Sequence, residues 1–219
     1  MTPRRFSQLN AVLDRRQPDL TVLMDDVHKS HNLSAIVRTC DAVGVLGVHA
    51  VNPTGEVARH QQRAGGSSKW VGLEIHASVD EACDRLEAEG FQLLAAHQSQ
   101  TAIDYRAVDY TRPTALVLGS EKRGVGARAA ARAHHHLRVP MHGQVASLNV
   151  SVAAAVVLFE AERQRAAAGW YDRPRLAGEL RARLLFEWAY PRLAGWCRER
   201  GRPYPALDER GFLTGDPRR

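Results

Sequence analysis

The sequence predicts an α/β protein with a mostly parallel sheet flanked by helices. Short β-branched or apolar runs alternate with helical segments from about residue 19 to residue 169, which is typical of parallel strands joined by helices. After Gly169 the alternation stops and a helical, arginine-rich region follows. The 219 residues suffice for one α/β domain with additional terminal elements.

The elements follow in chain order. Residues 2–16 carry apolar side chains at helical spacing, namely Phe6, Leu9, Val12 and Leu13, which predicts an amphipathic helix. Strands are predicted at 20–24, 47–51, 71–75, 91–95, 115–118 and 137–139. Helices are predicted near 33–43, 79–89, 125–132 and 147–168. One further helix is predicted at 176–200, and the tail from Gly201 is expected to be irregular.

These elements predict three parts: a basic N-terminal helix (1–18), a central α/β domain (19–169) and a helical, basic C-terminal extension (170–219). The net charge is +6, and arginine pairs concentrate in the two ends of the chain. Solvated helix faces would account for such pairs as well. The distribution nevertheless favours ends that contact a phosphate backbone while the centre carries the chemistry.

Composition also excludes several classes of protein. No apolar stretch approaches eighteen residues, and no apolar run follows the N-terminal arginines, so neither a membrane span nor a secretory signal is expected. Three widely spaced cysteines predict a cytoplasmic protein without disulfides. No metal site is expected, because the consecutive histidines at 134–136 would point in alternating directions and lack partners at ligand spacing.

Two well-known loop motifs are incomplete. The segment Gly119–Gly124 begins like a phosphate loop, but Val125 and Gly126 stand where the lysine and hydroxyl residue would be required. Ser120 lies in no nucleophile elbow, so hydrolysis has little support.

Three segments at strand–helix junctions carry the candidate chemistry. In 31–39, Asn32 and Ser34 are expected to cap a helix, and Arg38 is predicted to face a ligand, with a structural ion pair as the alternative. In 116–124, a buried strand opens into a glycine loop around Glu121. In 139–151, a strand ends at a flexible loop before a helix whose N–H groups can hold polar ligand atoms.

In order, the motifs N-x-x-A-I-x-R-T (32–39), L-G-x-E-x-x-G (118–124) and V-P-M-x-G with S-L-N-V-S-V-A (139–153) resemble those of the SPOUT RNA methyltransferases. The resemblance is to the tRNA guanosine-18 2′-O-methyltransferase subgroup (TrmH, or SpoU) and covers nearly the whole chain. It implies a C-terminal trefoil knot in the α/β domain. It also implies a homodimer with the site near the interface.

The resemblance further implies that the protein binds S-adenosylmethionine. The implied contacts are made by Ala96, Gly119, Val139, Met141 and Leu148. The implied substrate is the ribose 2′-hydroxyl of guanosine-18 in the D-loop of tRNA. The residues chosen for phosphate contacts with tRNA are Arg4, Arg5, Arg15, Arg16, Arg163, Arg165 and Arg173.

The resemblance makes Arg38 the catalytic residue, often described as the general base. A guanidinium effectively never deprotonates in a protein, so we expect Arg38 instead to orient the phosphate and ribose and to stabilise the developing oxyanion. The residues expected to shape the pocket or hold its loops are Asn32, Glu121, Ser147 and Asn149.

Two alternatives stay open. A methyltransferase of the same fold could act on ribosomal RNA, although such relatives usually carry a separate N-terminal RNA-binding domain and only about twenty residues precede the first strand here. A non-catalytic RNA-binding protein is the alternative of another class; the presence of Arg38, Glu121 and Asn149 argues against it.

Overall fold

The computed structural model describes residues 1–51 and 69–215. The chain divides into two compact units, one formed by residues 17–169 and the other by residues 1–16 together with 170–219. Residues 1–16 and 170–219 group together in this division. The three parts expected from the sequence stay a prediction.

The larger unit is built on a parallel sheet. Its strands are β1 (Leu20–Asp25), β2 (Gly47–Val51), β3 (Gly72–His76), β4 (Gln92–Ala96), β5 (Ile103–Asp104), β6 (Thr114–Leu118) and β7 (His135–Arg138). Within the described residues the order is β3-β2-β1-β6-β4-β7-β5, and every pairing is parallel. The predicted parallel sheet is confirmed. The short strand β5 was not predicted.

Helices cover both faces of this sheet. They are α2 (Ser30–Ala42), α3 (Val79–Ala88), α4 (Ala127–Arg132) and α5 (Val150–Ala167). Helices α2 and α5 pack against each other over one apolar core, and α3 and α4 pack over a second. Because β6 lies between the two cores, all five of its residues are buried, as expected for a central parallel strand.

Helix α2 begins earlier than predicted, which corrects the roles of its polar residues. Its N-cap position is Lys29, without a side-chain cap, so neither Asn32 nor Ser34 caps the helix. The side chain of Asn32 instead bonds to residues outside the helix. Arg38 consequently lies in the body of α2 and not near its start.

The second unit contains α1 (Pro3–Asp14), α6 (Gly178–Ala189) and α7 (Pro191–Glu199). The single helix predicted at 176–200 is wrong, because Pro191 lacks an N–H to donate and disfavours a helical conformation at Tyr190. Helix α1 packs against α6, where Arg181 donates hydrogen bonds of 2.8 Å to Asp14 and to Asn10.

Two expectations about the whole chain can be checked against the described residues. No helix among them is long and apolar enough to cross a membrane. Cys40, Cys83 and Cys197 are buried and form no disulfide, as predicted. The trefoil knot stays a prediction.

Candidate cofactor pocket and active site

A cavity of about 550 Å³ opens where β4, β6 and β7 end. Three loops line it, and these are the loops that follow the three strands. Eight predicted site residues line this cavity: Ala96, Gly119, Glu121, Val139, Met141, Ser147, Leu148 and Asn149. The carboxyl ends of parallel strands are where α/β proteins form their ligand sites.

Gly119 is required at the start of the loop after β6. A Cβ atom at this position would lie 2.0 Å from the carbonyl carbon and oxygen of Gly124 and 2.1 Å from the nitrogen of Val125. The loop is closed on itself by the N–H of Gly124, which donates to the Ser120 carbonyl at 2.8 Å. Gly124 adopts a φ of 67°, a left-handed conformation that favours glycine.

The loop before α5 is tied to the rest of the pocket at two points. Asn149 caps α5, its side-chain oxygen accepting from the N–H of Ser151 at 2.8 Å. Gln98, in the loop after β4, donates to the carbonyl of Ala146 at 3.0 Å. The helix predicted near 147–168 therefore begins later than predicted, and Ser147 lies exposed in the preceding loop.

A chain of amide and carboxylate contacts joins the first motif to the other two. The Nδ2 of Asn149 donates to Oδ1 of Asn32 at 3.3 Å, and the Nδ2 of Asn32 donates to Oε1 of Glu121. Asn32 is buried and does not itself line the cavity. Asn32 therefore connects the loop that contains Glu121 to the loop that contains Asn149.

Glu121 supplies a carboxylate to the cavity. Burial acts to raise its pKa, but the hydrogen bond from Asn32 and the nearby positive charge of Lys29 outweigh it, so the pKa lies below its ordinary value. Glu121 is therefore ionised at neutral pH. Its Oε2 is buried and has no hydrogen-bond partner among the described residues, which leaves an acceptor for a bound ligand.

Arg38 occupies a different position. It is exposed on α2, does not line the cavity, and makes no hydrogen bond or ion pair with another described residue. The alternative of a structural ion pair thus finds no partner within the described residues. The exposed guanidinium is available to a phosphate.

The seven arginines chosen for RNA contacts fall into different environments. Arg4, Arg5, Arg15 and Arg173 are exposed. Arg163 is also exposed, but its guanidinium pairs with the carboxylate of Glu160 at 2.8 Å.

Two of these predictions, Arg16 and Arg165, are corrected because both side chains are fully buried. Arg16 lies over the Trp188 ring, 5.4 Å from its centroid. Arg165 pairs with Asp19 at 2.6 Å and donates to the carbonyls of Tyr110 and Arg112. Neither side chain presents its charge to a phosphate backbone.

Six polar residues that line the cavity were not among the predicted site residues: Lys29, His97, Gln98, Ser120, Lys122 and Arg138. Each of them lies within two residues of a structural element or a predicted site residue in the sequence. Their positions close to the ends of strands could have identified them. The consecutive histidines are used structurally: His134 accepts from the N–H of Leu93 at 3.0 Å, and His136 bonds to Ser99 at 2.8 Å.

Comparison with known proteins identifies relatives along both units. The SpoU rRNA Methylase family matches residues 19–159, and the SpoU, rRNA methylase, C-terminal family matches residues 163–216. A tRNA (guanosine(18)-2′-O)-methyltransferase of Thermus thermophilus is 56% identical over 187 residues, which is 85% of this chain and 96% of that protein.

Two solved structures are similar as well. The A. aeolicus TrmH/SpoU tRNA modifying enzyme has a TM-score of 0.78 at 41% identity, over 86% of this chain and 96% of that one. An AdoMet-bound rRNA methyltransferase from Sinorhizobium meliloti has a TM-score of 0.58 at 30% identity, over 70% of this chain and 59% of that one. With both units matched by the family, this chain belongs to the SpoU rRNA methylase family.

Proposed function

We propose that the protein transfers a methyl group from S-adenosylmethionine to the ribose 2′-hydroxyl of guanosine-18 in the D-loop of tRNA. One observation carries this proposal: the motif loops of a chain 56% identical to a tRNA (guanosine(18)-2′-O)-methyltransferase converge on one cavity. In this proposal, residues 19–169 form the methyltransferase domain, with its knot, and the two ends hold the RNA.

The cavity has the properties that S-adenosylmethionine requires. Its volume of about 550 Å³ lies within the range of roughly 300–1,000 Å³ usual for small-molecule sites. Glu121 contributes an anionic oxygen without a partner among the described residues, which suits a cationic ligand. We assign the holding of the cofactor to Ala96, Gly119, Val139, Met141 and Leu148, which line the cavity together.

When bound, S-adenosylmethionine supplies a methyl group on a positively charged sulfur. The protein has to orient the ribose hydroxyl in line with this group and stabilise the charge that develops on the oxygen. We assign that role to Arg38, whose exposed guanidinium can bind a tRNA phosphate beside the reacting ribose. The proton leaves by another route, because a guanidinium is a poor base.

The pocket-shaping roles fall to Asn32, Glu121, Ser147 and Asn149. Asn32 holds the loops of Glu121 and Asn149 at a fixed separation through its two hydrogen bonds. Ser147 is exposed at the cavity and can bond to the incoming nucleotide. Phosphate contacts are assigned to Arg4, Arg5, Arg15, Arg163 and Arg173, the exposed members of the predicted set.

We also propose a cytoplasmic homodimer that assembles through α5. Val152 and Phe159 are seven residues apart on this helix, hence on one face, and are 47% and 52% exposed. Phe159→Glu should convert the dimer to a monomer in analytical ultracentrifugation. Phe212→Glu, at a similarly exposed phenylalanine of the other unit, should not. A wild-type monomer, or a dimeric Phe159→Glu variant, would contradict the assignment.

The reaction is tested with labelled S-adenosylmethionine and separate tRNA and rRNA pools, followed by mapping of the methylated nucleotide. We expect label at guanosine-18 of tRNA and none in a transcript with adenosine at that position. Label confined to rRNA would favour the ribosomal alternative. Cofactor and RNA binding without transfer would favour a non-catalytic RNA-binding protein.

The role of Arg38 is tested with Arg38→Ala, which should abolish transfer while binding of S-adenosylmethionine stays within about twofold of wild type, because Arg38 does not line the cavity. Arg85→Ala is the matched control, since Arg85 is an exposed helix arginine outside the cofactor cavity and outside the proposed RNA contacts. A substantially active Arg38→Ala enzyme would refute the assignment. A shifted pH–rate profile of Arg38→Lys in single turnover would restore arginine as the base.

A further inference from the structure

Strands β2 and β3 bring three potential metal ligands together at the edge of the sheet. In the parallel register, His49 of β2 is the partner of Glu74 of β3. His76 lies two residues beyond Glu74, so its side chain leaves the strand on the same face. Among the described residues, these three form the group of histidine, cysteine and acidic side chains whose ligand atoms all lie within 4.8 Å of one another.

The distances suit a small tetrahedral cation. Nδ1 of His49 and Nε2 of His76 are 2.9 Å apart, a hydrogen bond in the absence of an ion. Oε2 of Glu74 lies 4.0 Å from Nδ1 of His49, and Oε1 of Glu74 lies 3.9 Å from Nε2 of His76. Two ligand atoms of a tetrahedral zinc ion with bonds of about 2.05 Å are about 3.3 Å apart. The two nitrogens are closer together than this value and the carboxylate oxygens are farther away, so the half-exposed Glu74 side chain has to rotate toward the nitrogens and the two rings have to move slightly apart.

A carboxylate lies on the far side of the His76 ring. The Nδ1 atom of His76, which faces away from His49, lies 3.9 Å from the carboxylate of Glu81. This separation is longer than a hydrogen bond, and a small rotation of Glu81 would let it accept from Nδ1–H and leave Nε2 as the ligand atom, the arrangement of carboxylate–histidine–zinc sites.

The local charge also favours a cation. Glu74 and Glu81 lie beside the two rings. Glu89, at the end of α3, and its salt-bridge partner Arg85 also act on His49. The charges near the cluster are therefore three carboxylates and one guanidinium. Glu74 is half-exposed, which gives solvent access to the cluster, whereas His76 is buried.

We propose that His49, Glu74 and His76 form a Zn²⁺ site with two imidazoles and one carboxylate, open to water at the fourth position. Imidazole ligands favour zinc over magnesium or calcium. The site joins the edge strand β3 to β2, on the half of the sheet opposite the strands that form the cofactor cavity. It is independent of the proposed methyl transfer, which the sequence predicts to need no metal.

The test is calorimetric titration of chelator-treated, tag-free protein with Zn²⁺, followed by the absorption spectrum of the Co²⁺ complex. We expect one equivalent per chain, the intense visible bands of tetrahedral Co²⁺, and a higher melting temperature with Zn²⁺. His49→Ala and Glu74→Ala should each weaken binding by about 100-fold or more, since loss of an outer-shell partner alone costs about 10–100-fold.

Glu81→Gln tests the orienting carboxylate, because glutamine can still accept the N–H of Ala77 that Glu81 accepts at 2.9 Å. It should weaken Zn²⁺ binding by about 10–100-fold. His135→Ala, at an exposed strand histidine elsewhere in the sheet, should bind as wild type. No saturable binding by wild type, or equal binding by wild type and His49→Ala, would overturn the proposal.

Discussion

Replacing Gly119 with alanine tests whether the loop after β6 is held in a shape that the cofactor requires. The added Cβ would lie 2.0 Å from the backbone of Gly124, where ordinary contact begins at 3.4 Å. The backbone at Gly119 and the backbone at Gly124 would thus have to separate by about 1.4 Å. Neither contacting group is a flexible side chain, so the change cannot be absorbed by a rotamer.

The cost of this overlap should be about 1–3 kcal/mol, the usual range for overpacking. If the fold keeps the loop in place, the free energy of unfolding falls by that amount, and the melting temperature falls by about 2–12 °C for a chain of this size. If the loop relaxes and has to close again around the ligand, the Kd for S-adenosylmethionine rises by about 5–150-fold instead.

Both quantities are measurable on the same preparation, by thermal unfolding and by isothermal titration with S-adenosylmethionine. Gly195→Ala is the matched control, because an added Cβ at Gly195 meets no atom within 4 Å and the residue lies in α7. It should raise stability by about 0.5–1 kcal/mol and leave the Kd unchanged. A Gly119→Ala protein with wild-type melting temperature and Kd would refute the reasoning.

Three other changes probe Glu121 in this loop and two arginines elsewhere in the chain. The folded-state pKa of Glu121 is depressed, so its carboxylate adds stability that is fully present above the ordinary pKa of 4.5 and is lost as the pH falls through the folded-state value. Glu121→Gln should therefore destabilise the protein at pH 7 in urea unfolding, and the difference from wild type should shrink as the pH is lowered below 4.5. A difference that stays constant with pH would contradict the shift. Arg165→Met should lower the free energy of unfolding by about 3–5 kcal/mol, because it leaves Asp19 without its buried partner, and should leave the salt dependence of tRNA affinity unchanged. Arg173→Ala should reduce that salt slope by about 1 without changing stability, and a slope equal to wild type would remove Arg173 from the interface.

The parallel sheet was predictable because its central strands are buried on both sides, and burial on both sides requires an apolar run. Thr114–Leu118 shows this pattern along its full length. The strand Ile103–Asp104 has only two residues, too few for any periodicity. Residues 176–200 have helical composition throughout, so the break before Pro191 depends on one backbone conformation and not on a change in pattern.

The cavity was predictable to a large extent because its loops follow strands and contain unusual combinations of glycine and polar residues. The burial of Arg16 and Arg165 was not predictable in this way. Arginine is exposed in most proteins. Asp19, the carboxylate that makes burial of Arg165 favourable, lies 146 residues away in the sequence. The resemblance to a known family assigned the contacts of the cofactor, but it gave no information about Lys29 or His97, which line the same cavity.

Contacts at the other end of α2 explain how Arg38 can be exposed and still hold a defined position. Asn32, in the first turn of α2, bonds both to Glu121 in one cofactor loop and to Asn149 at the start of α5. These bonds fix the helix relative to both loops, so a guanidinium six residues further along is held at a defined place while it stays in solvent. A residue that must bind phosphate on a large RNA has to be exposed, and one that must act beside a bound cofactor has to be positioned. In the mechanism that we propose, different residues of α2 meet the two requirements: Asn32 provides the position and Arg38 the charge.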